Sequence, residues 1–371
     1  MTNGEHRSRP ERRGKVRVAV LFGGQSSEHD VSLRSAETVM GALDPDRYDV
    51  VPIGITREGR WLTGGDPFAA LTAVSPLFAL GDGTASVSTA DAPAESAVPA
   101  LFSGGIDVVF PVLHGPMGED GTVQGLLELT GVPYVGAGVL GSALSMDKAM
   151  AKTILAQEGL PQAPWRLVTR KEWERDPDAC TEWAGEILGW PCFVKPANMG
   201  SSVGVVKAHD PSDFPAAMRH ACRFDRRIVI EKGVDARELE ISVLGNDEPI
   251  ASIVGEIVPG NEFYDYDAKY VDDNSDLLVP APIDRGTMAE IQEMAIAAFR
   301  ALDLAGMARI DFFMDRNTDQ IYINEVNTIP GFTAISMYPR LWQASGMPLD
   351  ELVDRLVGLA LERSLDRRRD H

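Results

Sequence analysis

MARIDFFMDRNTDQIYINEVNTIPG, residues 307–331, decides the fold. Two β-rich runs, Met307 to Met314 and Ile321 to Asn327, flank a polar turn from Asp315 to Gln320, where Asn317 and Asp319 supply turn chemistry. Side chains alternate along a strand, so Arg309 and Asp311 share one face, as do Glu325 and Asn327. A turn centred near Thr318 sets Asp311 opposite Glu325 and Arg309 opposite Asn327. Facing carboxylates repel unless solvent or a cation lies between them. An Asp/Glu/Asn oxygen set suits a hard cation, Mg²⁺ on nucleotide phosphates being the usual case. The alternative is a polar hairpin face without metal.

Outward from the hairpin, bulk composition sets limits. A chain of 371 residues has room for two or three domains. Net charge is −20, which argues against nucleic acid or an anionic membrane as a partner, though not against a small anion held by local cations. The three cysteines, Cys180, Cys192 and Cys222, have no paired spacing, which points to a reduced cytoplasmic setting and away from a zinc site. No run is apolar enough to span a bilayer, and no signal peptide is recognisable.

Residues 1–15 read as a disordered basic arm. Val16 to Phe22 is an apolar strand that breaks at Gly23-Gly24. Ser26 and Ser27 then cap a helix to about Leu43, and a strand at 50–55 completes a β-loop-α-β unit. Such a glycine-rich turn is where α/β proteins place ligands. Glu28 at the helix start is either a dipole partner or a ligand group. Residues 62–105 are rich in small residues and form a variable insert with one or two short elements. No lysine or arginine occurs from Trp61 to Asp147. Strand 106–113 runs into HGPMGEDGTVQG (114–125), where His114 is either a core histidine or a site residue. Asp147 caps a helix beginning near Met146, and Lys148 ends the cation-free stretch.

A second domain alternates strands at 165–168, 191–197, 203–208 and 227–231 with helices at 170–188 and 211–222. The turn in VKPANMGSSVGV (194–205) is rich in backbone donors of the kind that cover phosphates. Lys195 ends an apolar strand and points into a cleft, where it needs an anionic partner such as a phosphate. The strand edge at IVIEKGV (228–234) offers backbone groups to an adenine rim. Strands at 238–245 and 250–258 start an antiparallel sheet. The polar, aromatic loop 259–280 is long enough to be a lid or binding loop. Helix 284–303 carries a core stripe at Met288, Ile291, Ala295, Ala298 and Leu302. There is no internal repeat.

LFGGQSSEHDVS, HGPMGEDGTVQG, SALSMDK, FVKPANMGSSVG, IEKGV followed by ELE, FYDYDAKY, and ARIDFF with INEVNTIPGFT stand in the order found in one known family. Over residues 16–363 the chain resembles the D-alanine–D-alanine ligases of the ATP-grasp superfamily. The resemblance implies a Rossmann-like N-terminal α/β domain, 16–142, followed by an ATP-grasp fold of two α+β subdomains, 143–230 and 231–371, with the nucleotide between them and residues 259–280 as a lid. It implies ATP and two Mg²⁺ ions, with Mn²⁺ able to substitute, held by Asp311, Glu325 and Asn327. Lys148 and Lys195 would hold ATP phosphates under the loop 198–204, Lys269 would meet them from the lid, and Ser202 would belong to the ATP site. Glu231, Lys232, Val234 and Glu238 would frame adenine and ribose, and Asn324 would also belong to the ATP site. Glu28, linked to Ser201 and Tyr270, would orient the first D-alanine beside His114. Arg309 and the Gly331 N–H would stabilise a tetrahedral intermediate. Ser336 and the Gly331 loop would hold the second D-alanine's carboxylate. A cytoplasmic homodimer making peptidoglycan precursors is implied as well. The competing readings are a D-alanine–D-lactate ligase, which Tyr270 argues against; a ligase for another carboxylate and amine; and a nucleotide-binding regulator that has lost catalysis.

Overall fold

The computed structural model describes residues 14–75, 94–95, 105–258 and 276–367, and it is a mixed α/β protein with three sheets. The first sheet is built on strand β1 (Val16–Gly23), which pairs in parallel with β2 (Tyr48–Ile55) and β5 (Val108–Pro111). Short β3 (Trp61–Thr63) and β4 (Ala94–Glu95) extend the β2 edge antiparallel. From Val18 to Phe22 β1 is apolar because it is buried on both faces, as central parallel strands are. Gly23 ends it at φ +90°, and a Cβ there would stand 2.2 Å from the Ile55 carbonyl oxygen, so only glycine makes this turn.

Helix α1 (His29–Ala42) starts later than the Ser26/Ser27 cap predicts. Glu28 takes the N-cap position without a side-chain capping bond, while Ser26 Oγ accepts instead from the Glu28 N–H at 3.1 Å. The helix stops before Asp44-Pro45, where the residue ahead of proline is pushed out of the α region. Within the predicted insert, α2 (Pro67–Thr72) is capped by Asp66 with proline in its first turn. Residues 76–93 and 96–104 of that insert lie outside the described residues, as do the first 13 residues and the last four.

After β5 come α3 (Thr122–Thr130), α4 (Val139–Met146) and α5 (Lys148–Gln157). Asp147 separates the last two and caps α5 through the N–H groups of Ala149 and Met150. The second sheet has the order β6 (Trp165–Thr169), β9 (Arg227–Lys232), β7 (Cys192–Pro196), β8 (Val206–Ala208), and every pairing in it is antiparallel. The helix predicted over 170–188 is three pieces: α6 (Arg170–Arg175), α7 (Pro177–Trp183) and a π-turn (Ala184–Leu188). Asp176-Pro177 divides the first two, because proline cannot continue a helix interior but is favoured at a new start. Helix α8 (Phe214–Ala221) closes this core with Phe214 and Met218. Strand 203–208 shortens to β8 because Ser201, Ser202 and Gly204 all take positive φ (48°, 59° and 75°).

The third sheet runs β12 (Asp276–Leu278), β11 (Ile250–Val258), β10 (Ala236–Gly245), β13 (Gly306–Asp315), β14 (Ile321–Asn327). Helix α9 (Arg285–Ala301) lays its stripe on this sheet: Ile291, Ala295, Ala298 and Phe299 are fully buried against Leu239, Ile241, Ile310 and Phe312. Each large apolar side chain so buried is worth about 1.5–3 kcal/mol. Helices α10 (Met337–Ala344) and α11 (Leu349–Asp366) do not stay with the third sheet alone. Tyr338, Trp342, Leu352, Leu356 and Val357 share one core with Val18, Val20, Phe22 and Phe110 of the first sheet. That packing brings the loop after β14 against the C-terminal end of β1 and β5.

Candidate active site

The hairpin has the expected register at its functional end: Arg309 pairs with Asn327 and Asp311 with Glu325. At the turn end the register is one residue different, with Met314 opposite Ile321 and Phe312 opposite Ile323. A bulge at Asn324 absorbs the extra residue. Ile321 and Ile323 are buried, then Asn324 and Glu325 are both partly exposed before Val326 is buried again. The bulge thus keeps Glu325 and Asn327 on the face of Asp311. Without it the turn register would set Glu325 opposite Ile310. Bulges beside active sites re-aim side chains in this way.

Arg309 forks onto the neighbouring carboxylate, Nε to Asp311 Oδ1 at 2.7 Å and Nη2 to Oδ2 at 2.8 Å, and its Nε lies 3.1 Å from Glu240 Oε2. Glu240 is the β10 residue opposite Asp311. Asn327 Nδ2 donates to Asp311 Oδ2 at 3.0 Å, which turns its amide oxygen away from that carboxylate. With Glu325, this face sets one cation against three carboxylates. The oxygens of Asp311, Glu325 and Asn327 are the hard donors a divalent cation takes, so the set fits one. Two donors are carboxylates and the third an amide, and among the described residues no cluster of three or more His, Cys, Asp or Glu has metal-site geometry.

Across the cleft the second sheet has the opposite balance. Glu231 on β9 is 2% exposed and lies between two ammonium groups. Lys195 Nζ, on β7, donates to its Oε2 at 2.5 Å, and Lys152 of α5 donates to Oε1. Burial alone would raise the Glu231 pKa, but the two lysines outweigh it and pull it down to about 2. Lys148, at the start of α5, donates from Nζ to the Met199 carbonyl oxygen at 2.5 Å and so reaches the 198–204 loop.

Two cavities lie along this cleft. The larger, about 570 Å³, is lined by Lys195, Ser202, Lys232, Val234, Glu238 and Asn324 among others. The smaller, about 140 Å³, is lined by Glu28, His114, Ser201, Arg309, Gly331 and Ser336 among others. Lys148, Glu240 and Glu325 line both, so the two spaces meet at a charged seam. In the smaller cavity Glu28 is buried between two backbones: a Cβ on Gly115 would stand 2.9 Å from its Oε2, and one on Gly200 3.5 Å. His114 is buried, with Nδ1 3.0 Å from the Ile329 carbonyl oxygen and Nε2 3.2 Å from Ser35 Oγ. Burial pushes its pKa down, but Glu119, Glu28 and that carbonyl push it up by more, so it is raised. Ser336 Oγ accepts from the Thr333 N–H at 3.1 Å and lies 2.7 Å from Thr333 Oγ1, closing the loop that carries Gly331.

The family described as D-ala D-ala ligase N-terminus matches residues 17–137, and the one described as D-ala D-ala ligase C-terminus matches 154–358. The chain belongs to the D-alanine–D-alanine ligase family. It is 50% identical over 362 residues to the D-alanine--D-alanine ligase of Heliobacterium modesticaldum, covering 96% of this chain and 97% of that one. It is 51% identical over 351 residues to the enzyme of that name from Geobacillus thermodenitrificans, covering 94% and 96%. Among solved structures, the D-alanine-D-alanine ligase from Coxiella burnetii superposes with a TM-score of 0.80 at 35% identity, over 95% of this chain and 97% of that one. VanG D-Ala:D-Ser ligase from Enterococcus faecalis gives 0.80 at 34% identity, over 94% and 100%.

Measured against the site that the family resemblance implies, the structure gathers most of the predicted residues into the two cavities. Lys269 and Tyr270 lie outside the described residues. Asp311 lines the larger cavity and Asn327 the smaller. The Glu231 side chain is committed to buried Lys152 and to Lys195. Lys195 has this carboxylate as its anionic partner in the structure. Sequence reasoning missed Lys152 and Ser35. Both sit on helices, where a lysine ordinarily reads as a solvated face and a serine as neutral filler. The four-residue step from Lys148 to Lys152 would have shown that the two share a helix face, but not that Glu231 lies beyond it.

Proposed function

We propose that this chain joins two D-alanines to D-alanyl-D-alanine at the expense of ATP, releasing ADP and phosphate, as a step in peptidoglycan precursor synthesis. One observation carries the reading: the seam of Lys148, Glu240 and Glu325 joins a cavity of nucleotide size to a smaller one of amino-acid size. Phosphoryl transfer from one space to a carboxylate in the other has to cross that seam. The layout proposed is a Rossmann-like part over 16–142, with 62–105 as insert, and two ATP-grasp halves over 143–230 and 231–371 with the nucleotide between them. What supports it is the set of three sheets and the placement of the larger cavity between the second and third.

In this mechanism Lys148 and Lys195 hold the phosphates, with Ser202 in the loop above them, and Lys232, Val234, Glu238 and Asn324 frame the rest of the nucleotide. Glu28, with Ser201 and His114 close by, takes the ammonium of the first D-alanine and points its carboxylate at the γ-phosphate. The carboxylate oxygen forms a bond to phosphorus as the bond to ADP breaks, giving D-alanyl phosphate. The amine of the second D-alanine, its carboxylate held by Ser336 and the Gly331 loop, attacks the acyl carbon. Arg309 and the Gly331 N–H meet the oxyanion, and phosphate leaves. Asp311, Glu325 and Asn327 are the residues that would hold Mg²⁺, with Mn²⁺ as a substitute, which when bound neutralises phosphoryl charge. Tyr270 and Lys269 are assigned to the same site on the family's pattern. Cytoplasmic location and a homodimer belong to the same proposal. Among the described residues no helix is long and apolar enough to cross a membrane.

The test is phosphate release from ATP with D-alanine, L-alanine, D-lactate and D-serine offered singly and in pairs, with the product identified by mass. D-alanine alone should suffice and give the dipeptide. Release that requires D-lactate or D-serine as second substrate would reassign the enzyme. Binding of ATP without release under any pairing would make it a nucleotide-binding regulator.

A further inference from the structure

Lys152 has no part in this mechanism, yet it is as buried as any charged group among the described residues. Its side chain is 3% exposed, and Nζ donates to Glu231 Oε1. The other oxygen of Glu231 takes Lys195 at 2.5 Å, whose side chain is 12% exposed and lines the larger cavity. The three come from three elements: α5, β9 and β7. Glu231 and Lys195 flank the same β7–β9 pairing, where Phe193 is opposite Glu231 and Lys195 opposite Val229.

Burying an ammonium is costly, and a carboxylate with one lysine would already be neutralised. The second lysine is therefore surplus to pairing. Formal charge on the triad is two lysines less one glutamate, or +1. Remove Lys152 and the same group is one lysine less one glutamate, or zero. Lys195 would then face the cavity with its charge cancelled by Glu231, and an incoming phosphate would have to compete with a buried carboxylate for it. With Lys152 present, Glu231 has its own counter-ion, and Lys195 keeps donor capacity and net charge for the cavity. On balance the Lys152 pKa is lowered: burial and the nearby Lys195 push it down by more than Glu231 pulls it up.

We propose that Lys152 is a positioning residue for phosphate recognition: it neutralises Glu231 from the buried side so that Lys195 can offer its charge to the phosphates of the nucleotide. The inference rests on the ligase reading for the identity of that ligand. It predicts a charge rule. Variants of net charge +1 at the triad keep their affinity for phosphate-bearing nucleotides, and variants of zero charge lose much of it, while the adenosine portion is indifferent.

The experiment uses the full chain and calorimetry with ADP and with adenosine in the presence of Mg²⁺. Lys152→Met, at zero charge, should weaken ADP by roughly tenfold or more, as for other close buried charge partners, and leave adenosine within about twofold. The double variant Lys152→Met with Glu231→Gln returns to +1 and should recover most of the ADP affinity. It also removes the buried carboxylate that has lost one of its two partners, so it should fold even if the single variant does not. Lys152→Arg should stay close to the unmodified protein. Equal losses for ADP and adenosine, or a double variant no better than the single one, would reduce Lys152 to a structural cation and overturn the proposal. If the unmodified protein binds no adenine nucleotide, the ligase reading itself fails, and this proposal with it.

Discussion

The two walls of the cleft solve the same problem with opposite signs. On the second sheet one carboxylate, Glu231, serves two lysines; on the third, one arginine, Arg309, serves Asp311 and Glu240 while Glu325 stands beside them. Each wall satisfies its buried charges locally and keeps a surplus facing the cavity. The lysine wall is left positive and suited to phosphate oxygens. The carboxylate wall is left negative and suited to a divalent cation. Nucleotide phosphates carrying a metal are the ligand that meets both. Neither surplus would persist if each charge had a single private partner, so the sharing of counter-ions is what makes the cleft a site.

The largest break in this contrast should come from the carboxylate wall. Glu325→Gln keeps shape and removes one negative charge at the seam. A loss on the order of a hundred- to a thousandfold in kcat is expected, typical of deleting one preorganised electrostatic group. Melting temperature should stay close to that of the unmodified protein, since Glu325 is only half-buried. Near-normal turnover in saturating Mg²⁺ would take the metal assignment away from this hairpin.

The lysine wall should show itself in acid. Glu231 has a folded pKa of about 2 against an ordinary value of 4.5. A depressed carboxylate contributes stability that is fully present above the unfolded value and is lost as pH falls through the folded one. Chemical denaturation between pH 6 and pH 2.5 should therefore show a loss of a few kcal/mol beginning below about pH 4.5. The Lys152→Met, Glu231→Gln double variant should lack this component. Parallel acid curves for the two proteins would mean that Glu231 is not held by its lysines in solution.

How much of this was legible beforehand differs between the walls for a physical reason. The hairpin announces itself: two β-rich runs, a polar turn and carboxylates at matching offsets put Asp311 opposite Glu325 from local sequence alone. Only the bulge at Asn324 escaped, because bulged and regular strands share one composition. The lysine wall joins residues 79 positions apart, Lys152 and Glu231, and no local period links them. Lys195 was legible as inward-pointing because its strand is otherwise apolar; its partner was not. The packing of α10 and α11 onto the first sheet was hidden likewise, since an amphipathic helix shows that it has a buried face and not which sheet covers it.

A smaller effect should separate ligand contact from burial on the positive side. Lys195 lines the larger cavity, and Lys152 does not. Amine-directed labelling read by mass spectrometry should find Lys195 several-fold protected by ATP and Lys152 unreactive with or without it. Equal labelling of Lys195 in both states would make it a structural cation.

The smallest expected effect lies at the uncharged seam between the first sheet and the Gly331 loop. Ser35 of α1 is fully buried; its Oγ accepts from the Phe332 N–H at 3.2 Å and lies 3.2 Å from His114 Nε2. His114 in turn holds the Ile329 carbonyl. One hydroxyl thus ties both ends of the Ile329–Phe332 segment to the N-terminal sheet, and Gly331 sits inside that segment. Ser35→Ala leaves the Phe332 N–H without this acceptor, a cost of about 1–3 kcal/mol for a buried donor. Part of that should appear as a lower melting temperature. The rest should appear as a KM for the second D-alanine raised about threefold with KM for ATP unchanged, because the loop it loosens belongs to the smaller cavity and to neither charged wall. Ser35→Thr, if its methyl is accommodated, should restore the bond and the KM together. A change confined to ATP binding would place the coupling at the lysine wall instead, and the division of the cleft into two charged walls and a neutral seam would have to be redrawn.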